Sequence, residues 1–313
     1  MPKTQLVSCV KDEAVFMVEW VAHHHLLGFD DICIYTNDCT DGTVELLEAI
    51  QAAGYCRRFD NPVPEGAAPQ STAYRRHAKL GRGDSYDHQM VLDCDEFLNI
   101  HTGNGSLFAL LAAIPDGTDL LCINWRNFGD SNRKAWEPGC VTAQFEHALA
   151  INAKPNKLVK TLVLSPRKFD RLGTHTPRRF IAQGPLVVLN GALKYIDVPT
   201  VHRHLLWKTL RNGLPEHRSH KLAQINHYSV KTADSFVLRQ LRGRGASTKA
   251  DRHTAEFFAD RNKNDEIERS IARYRPRLRD VMAAIRSHSA VAEAEAAAIA
   301  QYRIRLSLAP ALS

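Results

Sequence analysis

The run MVLDCDEFLNI, residues 90–100, carries Asp93, Asp95 and Glu96 between apolar neighbours. Read as the end of a buried strand, it puts Asp93 and Asp95 at i and i+2 on one face, with Cys94 on the other. Carboxylates this close raise each other's pKa unless a cation lies between them. A hard divalent ion, Mg²⁺ or Mn²⁺, would fill that place and keep positions open for phosphate oxygens and water. The competing reading is a pair of solvated aspartates at a strand end, and spacing alone leaves both open.

Two more carboxylate groups occupy comparable places. VKDEA sets Asp12 and Glu13 after the strand-like run 5–10, and YTNDCTDGT sets Asn37, Asp38 and Asp41 after the run 31–35. Asp41 and Gly42 read best as a turn and helix cap. The triplet His23–His25 resembles a metal site by composition only. Consecutive helical residues point about 100° apart and cannot chelate one ion, so the triplet reads as half-buried helix surface.

The elements that must position these groups alternate. Apolar strand patterns at 5–10, 31–35, 55–59, 89–95 and 119–125 are separated by helical patterns at 14–28, 44–54, 70–80 and 106–114. Glycines 28 and 54 end the first two helices, and the proline-rich stretch 60–69 is a loop. Such alternation means an α/β fold with a mostly parallel sheet flanked by helices, and these sheets bind ligands at the carboxyl ends of their strands. Residues 127–190 mix loops and short strands, and the pattern is helical from about 230. The last segment, with AEAEAAA, is a strong helix former with little to bury, so it lies on the domain or mediates a contact.

The stretch CVKDEAVFMVEWVAHHHLLGFDDICIYTNDCTDGT, followed by DCDEF and by INWRNFG at 123–129, resembles bacterial glycosyltransferases of the family 2 type with a GT-A (Rossmann-like) fold. The segments KTLVLSP…GTHTP (160–177) and NHYSVKTADSFVLRQLRGRG (226–245) also resemble glycosyltransferase family 92. The resemblance spans residues 5–245. It implies a GT-A domain over 1–245, with a nucleotide-sugar-binding half (1–125) and an acceptor or closing half (126–245), then a helical C-terminal extension over 246–313.

The implied reaction is transfer of a sugar, with inversion, from a nucleoside-diphosphate donor such as a UDP-sugar to a glycan or lipid-linked hydroxyl, with Mn²⁺ or Mg²⁺ as cofactor. A metal takes up the charge of the departing diphosphate. The resemblance implies Asp95 as direct ligand and Asp93 as second ligand or ribose partner. It places Glu13 and Asp38 at the nucleoside, and Lys160, Lys231 and Arg242 at the diphosphate. It offers His227, ahead of His175, as a further metal ligand. Trp125 and Arg126 read either as an acceptor-side platform or as core packing with Arg126 paired to an acid. For the base that inversion needs, Asp130 is chosen from Asp130, Glu137, Glu146 and Asp170.

Charge distribution agrees with a two-signed site. Residues 1–100 hold 8 Lys+Arg against 16 Asp+Glu, whereas the whole 313-residue chain has a net charge of +7. Basic residues cluster at 154–179 and 201–252. A uniformly basic nucleic-acid binder is excluded by the acidic first third. A metal-dependent phosphohydrolase or nucleotidyltransferase, or a non-catalytic nucleotide-sugar binder, remain as alternatives. No apolar run reaches the ~18–20 residues of a membrane span. The first residues lack a signal-peptide pattern, so the expected site of action is the cytoplasm, with the basic face open to peripheral contact at the inner membrane face. Seven cysteines, an odd number without a CxxC pair, argue against zinc-finger and disulfide frameworks.

Overall fold

A computed structural model describes residues 2–211, 215–243 and 253–310. Its strands are β1 (Thr4–Val10), β2 (Asp31–Thr36), β3 (Arg57–Asp60), β4 (His88–Val91), β5 (Glu96–Ile100), β6 (Leu120–Asn127), β7 (His147–Ala148), β8 (Val159–Val163), β9 (Phe169–Arg171), β10 (Arg178–Phe180), β11 (Val188–Asn190), β12 (Ala223–His227) and β13 (Glu266–Ile267). Its α-helices are α1 (Ala14–Leu27), α2 (Thr43–Ala52), α3 (Pro69–Lys79), α4 (Leu107–Ala112), α5 (Val141–Gln144), α6 (Leu206–Arg211), α7 (Ala233–Arg242), α8 (Ala255–Arg261), α9 (Arg275–Arg286) and α10 (Ser289–Leu308).

Nine strands form one sheet in the order β3-β2-β1-β4-β8-β6-β12-β5, with β11 also paired to β6. Most pairings are parallel; β8 runs antiparallel to both β4 and β6, and β5 runs antiparallel to β12. This is the mostly parallel, helix-flanked α/β sheet that the sequence pattern implies. Strand β6 is eight residues long and serves two stretches of sheet. Its Leu120–Asn124 half pairs with β8, and its Trp125–Asn127 half pairs with β12. The sheet curls along β6 and brings β5 back beside the end of β4, so residues 92–95 cross the mouth of the curl.

Helix α1 ends at Gly28, whose φ of 100° is left-handed and lets its N–H reach the His25 carbonyl at 3.0 Å. Its Phe16, Met17, Trp20, Val21 and Ala22 are buried along with His23 and His24. A helix apolar on nearly all sides must be covered on both, and here β5 packs on one side while α9 and α10 pack on the other. This corrects the reading of the histidine triplet as half-buried surface. His23 and His24 are fully enclosed, and burial takes His23 down to about 4. The C-terminal helices lie on the domain and add Leu278, Met282, Ile285, Val291 and Ala298 to its main apolar core. The proposed boundary between residues 245 and 246 lies outside the described residues.

The Tyr274 hydroxyl ties this C-terminal region to β5. It accepts from the Ile100 N–H at 3.2 Å and lies 3.0 Å from the Ile100 carbonyl and 2.9 Å from that of Gly105. Gly105 has φ 81°, and a Cβ there would come within 2.7 Å of that hydroxyl. Tyr274→Phe leaves buried backbone groups without a partner, and we expect a loss of about 1–3 kcal/mol in denaturant-monitored unfolding. Unchanged stability would show that β5 does not depend on this contact.

Candidate active site

The acidic run is not a continuous strand. Strand β4 ends at Val91, and residues 92–95 turn before β5 starts at Glu96. Three bonds fix the turn. The Trp20 indole N–H donates to the carbonyls of Asp93 (3.1 Å) and Glu96 (2.9 Å), and the Asp93 N–H donates to Glu96 Oε2 at 2.8 Å. Asp93 and Asp95 therefore do not share one face of an extended segment, as the i, i+2 spacing suggested. They meet different partners.

Asp93 and Glu96 meet Lys160, on the antiparallel strand β8. Its ammonium lies 3.1 Å from Asp93 Oδ2, 2.9 Å from Glu96 Oε2 and 2.8 Å from the Thr174 carbonyl. Gln70, at the start of α3, donates to the other Asp93 oxygen at 2.6 Å. Burial, which Lys160 only partly offsets, pushes Glu96 up to about 8. Against burial, Asp93 and Glu96 hold Lys160 charged. One ammonium thus serves two carboxyl groups.

Asp95 meets the other half of the chain. Its Oδ2 lies 2.5 Å from Arg239 Nη1, on α7, and 3.5 Å from His227 Nε2, at the end of β12. Register places them, because His227 pairs with Glu96 across β12 and β5, and the Tyr228 N–H bonds the Asp95 carbonyl at 2.8 Å. Burial would raise the Asp95 pKa, but Arg239 and then His227 hold it well below the usual carboxylate range. Burial lowers the His227 pKa against the pull of Asp95.

Arg239, the partner of Asp95, lines a cavity of about 400 Å³. Asp12, Glu13, Thr40 and Asp41 line it from the β1 and β2 ends, Ser229, Lys231, Arg239 and Arg242 from β12 and α7, and Tyr302 and Arg305 from α10. Lys231 is the unusual member. It is buried, it sits at φ 53°, and its ammonium lies over the Phe16 ring, 4.3 Å from the centroid. Among the described residues no carboxylate pairs with it. Burial lowers its pKa, which Asp95 opposes. The buried Ser229 hydroxyl on the same wall, and the buried Trp125 indole N–H and Tyr74 hydroxyl elsewhere, also lack partners among the described residues.

Residues 5–235 match the sequence profile of glycosyltransferase family 92. The chain belongs to glycosyltransferase family 92. No curated protein matches it. Among solved structures, similarity is found to S. aureus TarS 1-349 in complex with UDP, with 13% identity over 52% of this chain and 46% of that one and a TM-score of 0.34. The same protein with UDP-GlcNAc gives 14% identity, 52% and 45% coverage and a TM-score of 0.33. Glucosyl-3-phosphoglycerate synthase from Mycobacterium tuberculosis, in complex with Mn²⁺, UDP and glucosyl-3-phosphoglycerate, gives 15% identity, 38% and 43% coverage and a TM-score of 0.26. The chain spans less than half the length of each of these.

In this member of family 92 the expected site residues divide. Asp95, His227 and Lys231 converge, and Trp125 packs against His227 and His175 with ring centroids 4.0 and 5.4 Å away. The His175 Nδ1–H donates to the Val159 carbonyl at 3.0 Å. Glu13 is buried and ion-paired to Arg242, which also holds the Lys11 carbonyl. Asp38 is exposed at φ 47°, accepting from Asn37 at 3.2 Å. Asp41 caps as read, accepting from the N–H groups of Ala14 and Thr43, both at 2.9 Å.

Three residues stand elsewhere. Lys160 has its ammonium protons committed to Asp93, Glu96 and Thr174, so it neutralises the turn from below instead of facing a diphosphate. Arg126 leaves β6 on the face opposite Trp125 and pairs with Glu266 at 2.5 Å, as its packing alternative foresaw. Asp130 commits both oxygens to the side chains of Asn262 and Asn264 and the N–H of Asn132, which removes the physical ground for it as the base. Arg239 and Gln70 were missed. Arg239 had a readable signal, since it lies one helical turn before Arg242 on α7; Gln70 had none.

Lys160→Met would leave the buried Glu96 and the half-buried Asp93 without their cation. We expect a loss of about 3–5 kcal/mol in denaturant unfolding, largely restored in the Lys160→Met/Glu96→Gln double variant. A stable single variant that loses donor affinity would instead return Lys160 to the diphosphate.

Proposed function

We propose that this family 92 enzyme transfers a sugar from a nucleoside-diphosphate donor, a UDP-sugar by preference, to a hydroxyl of a glycan or lipid-linked acceptor, with inversion and with Mn²⁺ or Mg²⁺. The observation that carries the proposal is the pair Asp95 and His227, a carboxylate oxygen and an imidazole nitrogen facing each other 3.5 Å apart, linked through Arg239 to a cavity whose wall carries Lys231, a cation without a carboxylate partner among the described residues.

This donor set fits a metal. Carboxylate oxygen and imidazole nitrogen both suit Mn²⁺, and two protein ligands leave room for phosphate oxygens and water. Among the described residues no three His, Cys, Asp or Glu side chains converge as a closed cage, so the remaining positions fall to donor and water. Arg239 now supplies the positive charge at Asp95. Asp95 and His227 would hold the ion, which would supply Lewis-acid stabilisation for the departing diphosphate.

The chain's own residues do the rest. Lys231 meets the departing diphosphate, an anion that offsets the cost of its burial. Arg239 moves from Asp95 to the same phosphates, and Arg242, from Glu13, can follow. Glu13 and Asp38 take the nucleoside side, and Asp93, held by Lys160 and Gln70, faces the ribose.

Incubation with UDP-sugars and Mn²⁺ should release UDP in an acceptor-dependent way, and a chelator should abolish donor binding in calorimetry. Asp95→Asn should lower kcat/KM on the order of a hundredfold or more without unfolding the protein. Release of free phosphate, or full transfer by Asp95→Asn, would overturn the proposal. Lys231→Met should weaken UDP binding about tenfold or more while leaving the thermal midpoint at or above that of the wild type, because a buried charge without a carboxylate partner among the described residues is removed. A clear fall in the midpoint with unchanged UDP affinity would assign Lys231 to structure alone.

A further inference from the structure

His227 is backed by two buried asparagines, Asn127 and Asn156. Asn127 is the parallel-register partner of His227 across β6 and β12, so their side chains stand side by side. The His227 Nδ1 lies 2.9 Å from Asn127 Oδ1. An asparagine amide has a donor end and an acceptor end, and which end faces the ring decides which ring nitrogen carries hydrogen.

Here the ends are fixed by backbone groups that have no such freedom. The Asn127 backbone N–H can only donate, and it does so to Asn156 Oδ1 at 2.9 Å. The Ala150 carbonyl can only accept, and it takes Asn156 Nδ2 at 3.0 Å. Asn156 is therefore locked. Its Oδ1 also receives Asn127 Nδ2 at 2.9 Å, which locks Asn127 with its own Oδ1 toward the histidine. Turning either amide over would set like ends against each other inside a region where both residues are wholly buried.

We infer that Asn127 and Asn156 are positioning residues that hold His227 as the Nδ1–H tautomer, so that the neutral ring presents a bare Nε2 lone pair toward Asp95. Two acceptors then face each other, an arrangement that favours a cation between them. In the opposite tautomer Nε2–H would donate to Asp95 and close the same space. The inference rests on the metal reading of Asp95 and His227 for its consequence, but the tautomer itself does not depend on any metal. Hydrogen bonds to the far nitrogen of a ligating histidine commonly set metal affinity by 10–100-fold.

The test uses the full chain labelled with ¹⁵N-histidine. Long-range ¹H–¹⁵N correlation reads the tautomer, with the His227 signals assigned by their loss in His227→Gln. Calorimetry with Mn²⁺ and UDP reads affinity. We expect Nδ1–H in the wild type and in Asn127→Asp, which keeps an acceptor toward the ring. In Asn127→Leu, which has none, we expect Nε2–H and Mn²⁺ binding weakened about 10–100-fold. An Nε2–H tautomer in the wild type overturns the inference whether or not the variants fold. So does Asn127→Leu that keeps Nδ1–H and wild-type affinity. A tautomer that follows the acceptor in a protein that binds no Mn²⁺ upholds the relay and overturns the metal reading instead.

Discussion

Three carboxyl groups within four residues, two of them buried and Asp93 half-buried, crowd the mouth of a curled sheet, and they coexist only because positive charge reaches them from separate elements. Lys160 reaches Asp93 and Glu96 from β8, and Arg239 reaches Asp95 from α7. Buried charges without such partners cost several kcal/mol each. The antiparallel insertion of β8 between β4 and β6, and the docking of α7 beside β12, are thus conditions for the turn at 92–95 to exist. The turn in turn depends on α1, whose Trp20 indole holds two of its carbonyls. Covering α1 requires α9 and α10. A single electrostatic constraint links the acidic turn to the far end of the chain.

Where a local rule governs, the sequence was readable. Alternation of apolar strands and helices gave the order of the first elements, because periodicity and glycine stops act locally. Asp41 was readable as a cap because TDGT carries its own turn chemistry. The break in the run 89–95 was not readable. Nothing in VLDCDEF predicts a turn, since the donor that makes it, the Trp20 indole, lies more than seventy residues away. The burial of Lys160 was equally hidden, for VKTLV reads the same with its lysine inward or outward. His23 and His24 looked half exposed because the helix that covers them comes two hundred and fifty residues later.

The loops around the cavity hold backbone conformations that side-chain-bearing residues rarely adopt. Asp12, Asp38 and Lys231 have φ of 49°, 47° and 53°. Each costs of the order of 1 kcal/mol and persists only when surroundings over-determine it. At Lys231 the consequence is specific, because the left-handed residue turns the chain between β12 and α7 and places the ammonium over Phe16 at the cavity wall. Strain and a buried charge without a carboxylate partner among the described residues thus fall on one residue, where an anionic ligand would offset the second.

The family profile ends at residue 235, yet the cavity does not. Arg239 and Arg242 follow within the same helix, and Tyr302 and Arg305 come from α10. Arg305 holds the Thr40 carbonyl and hydroxyl, and Gln301 reaches the same carbonyl at 2.7 Å, so α10 clamps the loop after β2 on which Asp38 and Asp41 stand. A helix whose sequence suggests little to bury thereby fixes one wall of the site through polar contacts and through Tyr302, which packs edge-on against Phe16 at 6.0 Å. Phe16 carries Lys231 on its ring. The C-terminal helices are therefore continuous with the cavity through a chain of contacts running from α10 to Phe16 to Lys231.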